Sequence, residues 1–235
     1  MNNWLAKIAF FTGLMTAPLT TDIDAKNQEY MSLFDIATEE VTNTTKHDVL
    51  FTIDDGPSVY MLEIAKTLDS LNYQWIFFVV TRGIKEKTKQ DIIDVIQMWH
   101  HIWNHSFSHP NFQKLTIDQA KEEILKWDAL IASVYKEAGI PREKKYIRYP
   151  YGNLPPSSYR EEFNAFLDSL GYEKPMYRHM DVLLNECAQA PTDDRIVRMK
   201  KWDTILLHER SWTPESIKRV VKNLGDKEKN SAVKD

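Results

Sequence analysis

The sequence of 235 residues predicts an α/β fold in which a mainly parallel sheet is covered by helices, the sheet open or closed into a barrel. Two observations predict it. From about residue 47, short apolar runs alternate with longer amphipathic segments, strand then helix in repeated order. The composition is 43% apolar and 27% charged with only seven glycines and ten prolines, which suits one globular domain and not a linker-rich or repetitive chain.

The strand-like runs are D-V-L-F-T-I (48–53), W-I-F-F-V-V (75–80), H-I-W-N (101–104), Y-I-R-Y (146–149) and T-I-L-L-H (204–208). Each is short, β-branched or aromatic, and closed by polar or turn residues. Helical spacing marks 59–71, 87–99, 117–138, 157–170 and 215–224. Thr116 to Gln119 looks like a helix cap, and A-G-I-P (138–141) is a helix stop.

Ahead of these elements, a lone Lys7 precedes about a dozen mostly apolar residues that end in small ones near Ala17, too few to span a bilayer. Residues 1–22 therefore read as a signal peptide or an apolar N-terminal segment, 23–45 as a polar connection, 46–225 as the main domain and 226–235 as a frayed tail. A signal peptide implies export, to a periplasm or the medium. No later stretch is long and apolar enough to cross a membrane.

The net charge of −4, with Lys and Arg dispersed among Asp and Glu, argues against a nucleic-acid partner. The single cysteine, Cys187, excludes an intrachain disulfide and a Cys-rich zinc site.

In α/β sheets and barrels alike, functional groups gather at the carboxyl ends of strands. Asp54 and Asp55 end the first strand, His105 and His109 follow another, Arg148 lies near the end of a third, and His208 ends a fourth. Taken singly, each has a structural reading: D-D-G-P is an ordinary turn sequence, Arg148 a salt-bridge partner, His208 a strand-end polar residue. The spacing of His105 and His109 puts both imidazoles on one face of a helical turn, able to converge on one ion, and Pro110 fixes a bend at His109. His100 and His101 read as helix-terminal or surface residues, His47 and His179 as solvent-exposed. Trp99, Trp103 and Trp127, with Trp202 and Trp212, read as core or groove lining.

Taken together, T-I-D-D-G-P (52–57), H-S-F-S-H-P (105–110), R-Y-P-Y-G (148–152) and I-L-L-H (205–208) resemble, in order, the motifs of the polysaccharide deacetylases, the NodB-homology or family 4 carbohydrate esterases. The resemblance covers about residues 46–225. It implies a distorted (β/α) barrel of about seven parallel strands and metal-dependent removal of N-acetyl groups from a glycan. Position by position, it implies a metal triad of Asp55, His105 and His109, most commonly with zinc. Asp54 would be the general base, Arg148 the residue that orients it and His208 the general acid. The Tyr151 N–H would support the oxyanion and Leu206 the acetyl-methyl pocket.

The chemistry suits these residue types. A divalent ion held by three protein ligands leaves room for a water whose pKa falls from about 16 toward 7. Two carboxylates side by side repel, but one spent on a cation and the other facing Arg148 do not, and the Gly-Pro turn would let both reach one site. One region departs from the family pattern: H-M-D-V-L-L-N-E-C (179–187) lacks the usual Trp, leaving Asp181 as the only counterpart of the acidic residue that tunes the acid histidine. That divergence leaves a second reading open, a glycan-binding module that keeps the metal site without turnover; a metal hydrolase for a different amide or ester on the same site is a third.

Overall fold

The computed structural model describes residues 49–73, 75–142, 144–173, 182–183, 191–198 and 203–232. The N-terminal segment, the polar connection, His47, His179, Asp181, Cys187 and Trp202 lie outside the described residues. The chain divides after Glu40 into two units, and every described residue belongs to the second.

Strand β1 is Val49–Gly56, followed by helix α1, Met61–Ser70. Then come β2, Ile76–Val79, α2, Glu86–Gln97, and β3, His101–Asn104. The long α3, Ile117–Ala138, precedes α4, Arg160–Ser169. The chain continues through β4, Val182–Leu183, α5, Asp193–Val197, β5, Asp203–His208, and α6, Thr213–Ala232. No helix among the described residues is long and apolar enough to cross a membrane.

All strand pairs are parallel, in the order β3-β2-β1-β5-β4. β1 is central, and Phe51 and Ile53 are fully buried, as expected of a strand covered on both faces. Single bridges from Asn104 to Ile147 and from Lys145 to Tyr172 add two more parallel segments beyond β3. The described residues thus show five parallel strands and two single-residue bridges, where about seven strands are expected.

Residues 146–149, expected as a strand, form no longer ladder. Asn104 N donates to the Tyr146 carbonyl and Arg148 N to the Asn104 carbonyl, both at 2.9 Å, but the pairing stops there: the Arg148 carbonyl is taken by the His105 ring at 2.8 Å, and Pro150 has no N–H to continue it.

Two apolar clusters hold the layers together. One packs α1, α2 and α6 with part of α3 against the sheet, around Phe51, Phe77, Ile64 and Trp127; the other gathers Phe112, Ile124, Ile147, Tyr149 and Phe163 beneath α3 and α4. α3 therefore belongs to both. It starts at a capping box, where Thr116 Oγ1 accepts from Gln119 N and Gln119 Oε1 accepts from Thr116 N, and ends at Gly139 with φ 72°.

Three expectations change. α2 ends at Gln97, not Trp99; Trp99 takes φ 66° and is 63% exposed. That left-handed residue turns the chain inward, so His100 is buried with its ring edge-on to Phe77 at 6.0 Å, and His101 opens β3. At the other end, α6 runs past residue 224 to Ala232, through most of the stretch expected as a tail.

Candidate active site

Along a regular strand, successive side chains point to opposite faces, so Asp54 and Asp55 should diverge. The register between β1 and β2 shifts between Asp54 and Gly56, and Asp55 takes φ 69°. This is a β-bulge, which turns the Asp55 side chain back toward the side of its neighbour. The bulge inside the strand, and not the Gly-Pro turn after it, brings both carboxylates to one place. His105 Nε2 lies 3.7 Å from Asp54 Oδ2 and 3.5 Å from Asp55 Oδ1.

His105 and His109 converge, but not on a helical turn. The loop between them has Ser106 at φ 70° and His109 at φ 62°, and it brings His109 Nε2 to 3.2 Å from Asp55 Oδ1. One ligand atom from each of Asp55, His105 and His109 lies within 4.8 Å of the others. Tetrahedral ligands about 2.05 Å from zinc stand roughly 3.3 Å apart, which the 3.2 and 3.5 Å separations bracket. The tautomer also suits a cation: His105 Nδ1–H donates to the Arg148 carbonyl at 2.8 Å, leaving the Nε2 lone pair toward the triad. Burial alone would raise the Asp55 carboxyl, but hydrogen bonds with His105 and His109 and the nearby His208 hold it well below the usual carboxylate range. The residues present fit a divalent ion.

Asp54 is buried and meets Arg148, Nη1 to Oδ1, at 2.6 Å. The same Nη1 donates to Thr52 Oγ1 at 2.9 Å, and the guanidinium lies 4.0 Å over the Phe78 ring. In register, Asp54 faces His208 and Thr52 faces Leu206 across β1 and β5. Residues two apart share a strand face, so Leu206 and His208 project to the same side, with Leu206 buried. His208 Nε2 lies 3.9 Å from Asp55 Oδ2. Burial pulls its pKa below the ordinary histidine value, against the opposing pull of Asp54 and Asp55. Tyr151, φ 59°, sets its ring edge-on to His109 at 4.7 Å. The structure thus brings Asp54, Asp55, His105, His109, Arg148 and His208 together, with the Tyr151 ring against His109 and Leu206 on the strand face that His208 shares.

Four neighbours were not anticipated. Arg210 Nη2 stands 3.8 Å from Asp55 Oδ2, and the buried Glu209 accepts from Ser58 N at 2.6 Å, just past the bulge. Asn104 Oδ1 accepts from Ser106 N at 2.6 Å, and Ser106 Oγ accepts from His109 N at 2.9 Å. Their only sequence signal is adjacency to the histidines at strand ends.

The ends of a parallel α/β sheet thus assemble two histidines, two carboxylates, an arginine and a third histidine, of which Asp55, His105 and His109 could hold a metal ion. The polysaccharide deacetylase family model matches residues 41–174, and the chain belongs to that family. It is similar to a peptidoglycan-N-acetylglucosamine deacetylase of Bacillus cereus, 30% identical over 110 residues, 46% of this chain and 38% of that protein. It is also similar to the peptidoglycan-N-acetylmuramic acid deacetylase PdaA of Bacillus subtilis, 31% identical over 111 residues, 47% of this chain and 40% of that one. The chain thus matches well under half the length of these curated relatives. Among solved structures, a family 4 carbohydrate esterase from Streptomyces lividans in complex with acetate superposes with a TM-score of 0.62 at 23% identity, over 77% of this chain and 90% of that one. The fold is the distorted (β/α) barrel of that family.

Proposed function

We propose that the protein is a metal-dependent hydrolase, most simply a zinc enzyme, that removes N-acetyl groups from a GlcNAc-type polysaccharide or peptidoglycan and releases acetate. The observation that carries this reading is the buried Asp54 carboxylate, salt-bridged to Arg148 at 2.6 Å beside the triad and outside it. A module that only bound a glycan through a structural ion would have no use for that second carboxylate. The names of the two curated relatives support a peptidoglycan substrate, and with the apolar N-terminal segment they support a site of action outside the cytoplasm.

Asp55, His105 and His109 would hold the ion, which when bound supplies the Lewis acidity that activates a water and polarises the amide carbonyl. Asp54 takes the proton from the attacking water, and Arg148, fixed by Thr52 and the Phe78 ring, aims it. The Tyr151 N–H donates to the tetrahedral oxyanion, and Leu206 packs against the acetyl methyl. His208, opposite Asp54 across the two strands, protonates the leaving amine. Asp181 is the proposed partner that tunes it.

The test is acetate release from N-acetylglucosamine oligomers and from peptidoglycan, with and without chelator. Release that stops with chelator and in Asp54→Ala is expected; release indifferent to either sinks the mechanism. His105→Ala should lose metal, whereas His208→Ala should retain it and lose turnover, and a metal-free His208→Ala protein would contradict that division of roles.

A further inference from the structure

We infer that α3 holds the metal-binding loop in its ligating conformation through two of its own carboxylates, making Tyr172, Asp128 and Glu123 positioning residues for a site none of them touches. The inference rests on the metal reading of Asp55, His105 and His109.

The loop from His105 to His109 carries two non-glycine residues in the left-handed region, Ser106 at φ 70° and His109 at φ 62°. Such conformations persist only where their surroundings over-determine them. Here the surroundings form a chain of hydrogen bonds. The His109 N–H donates to Ser106 Oγ at 2.9 Å, and the Ser106 N–H donates to Asn104 Oδ1 at 2.6 Å. Asn104 Nδ2 donates to the Tyr172 hydroxyl at 2.6 Å, and that hydroxyl donates to Asp128 Oδ1 at 3.0 Å. Asp128 is itself gripped by Arg142 at 2.7 Å and Lys145 at 3.2 Å.

The direction of this chain is set at its far end. A carboxylate only accepts, so Asp128 draws the Tyr172 proton and leaves the phenol lone pairs for Asn104. Burial, reinforced by the charge of Asp128, holds the Tyr172 pKa above its usual value and keeps the hydroxyl a donor. Asn104, fully buried, must then turn its amide nitrogen toward Tyr172 and its oxygen toward the Ser106 N–H. A flipped amide would set donor against donor at the Ser106 N–H and acceptor against acceptor at the Tyr172 oxygen. The orientation of a buried amide beside the metal loop is thus decided by a carboxylate on α3.

The second tether is direct. Glu123 accepts from Ser108 N at 2.7 Å and from Ser108 Oγ at 2.6 Å. Glu123 and Asp128 project from a helix anchored in both apolar clusters, through Ile124 on one side and Trp127 and Ile131 on the other. The loop is therefore fastened at Ser106 and at Ser108 to one rigid element.

Zinc affinity of the purified protein, read by competition with a chromophoric chelator, tests the inference without relying on turnover. Tyr172→Phe keeps the ring and removes the relay; it and Glu123→Gln should each weaken zinc binding by about tenfold or more, the usual cost of losing an outer-shell partner. Ile131→Val, a core truncation on the same helix, should leave it unchanged. Wild-type affinity in Tyr172→Phe overturns the inference, as does an equal loss in Ile131→Val, which would mean that general loosening is responsible. A wild-type protein that binds no zinc at all refutes the metal reading first and this inference with it.

Discussion

Gly56 shows how little freedom a single position near the bulge retains. A Cβ there would run into the Glu209 carboxylate, meeting Oε1 first and Cδ at 2.7 Å. Glu209 is 1% exposed and accepts from Ser58 N, so it has no open side toward which to step. Gly56→Ala should cost about 1–3 kcal/mol by overpacking, measured by chemical denaturation. In a Glu209→Ala background the same substitution should cost clearly less. Additive costs in the double variant would show that the two positions do not meet. The residues of the site themselves were legible in the sequence because their chemistry lies in their identity: carboxylates, imidazoles and a guanidinium at strand ends. How Asp54 and Asp55 come to face one space was not, since D-D-G-P reads as a turn and nothing in it marks a bulge at φ 69°. His100 was misread for a related reason: the left-handed Trp99 that buries it has no sequence signature.

Helices declared themselves better than strands. α3 was bounded to the residue because its limits are chemical, a Thr116–Gln119 capping box at one end and a left-handed glycine at the other. Thr116→Ala removes the hydroxyl that accepts from Gln119 N and should lower stability by about 1 kcal/mol in thermal or urea unfolding. No measurable loss would mean that tertiary packing alone holds that end. Residues 146–149 had the composition of a strand but pair only through one bridge to Asn104, because extension depends on which partner captures the Arg148 carbonyl. Strand β4 is two residues long and pairs with β5 at Val182 and Leu183, too short to carry a periodicity. The hydrogen-bond chain from Asp128 to the metal loop was invisible for the same reason, since residues far apart in sequence meet only in the fold.

The response of the folded protein to pH sums over all its titrating groups, and two buried ones oppose each other. Burial lowers His100 from 6.5 to about 4 and raises Glu209 from 4.5 to about 7. Between pH 4 and 6.5 the unfolded chain binds a proton at His100 that the folded chain refuses, so this group makes stability rise with pH. Between pH 4.5 and 7 the folded chain keeps a proton on Glu209 that the unfolded chain releases, so that group makes stability fall as pH rises. Each difference of about 2.5 pKa units corresponds to at most about 3 kcal/mol. Over the shared window from 4.5 to 6.5 the two slopes largely cancel, and the wild-type curve is flattened by their opposition. Replacing one group unmasks the other. In metal-free protein unfolded with urea at a series of pH values, Glu209→Gln should gain stability relative to wild type as pH rises across that window. His100→Leu should show the reverse, losing stability relative to wild type as pH rises. Because both comparisons are differences from wild type, the remaining carboxylates and histidines drop out, and curves that run parallel to wild type would show that neither group titrates abnormally in the fold.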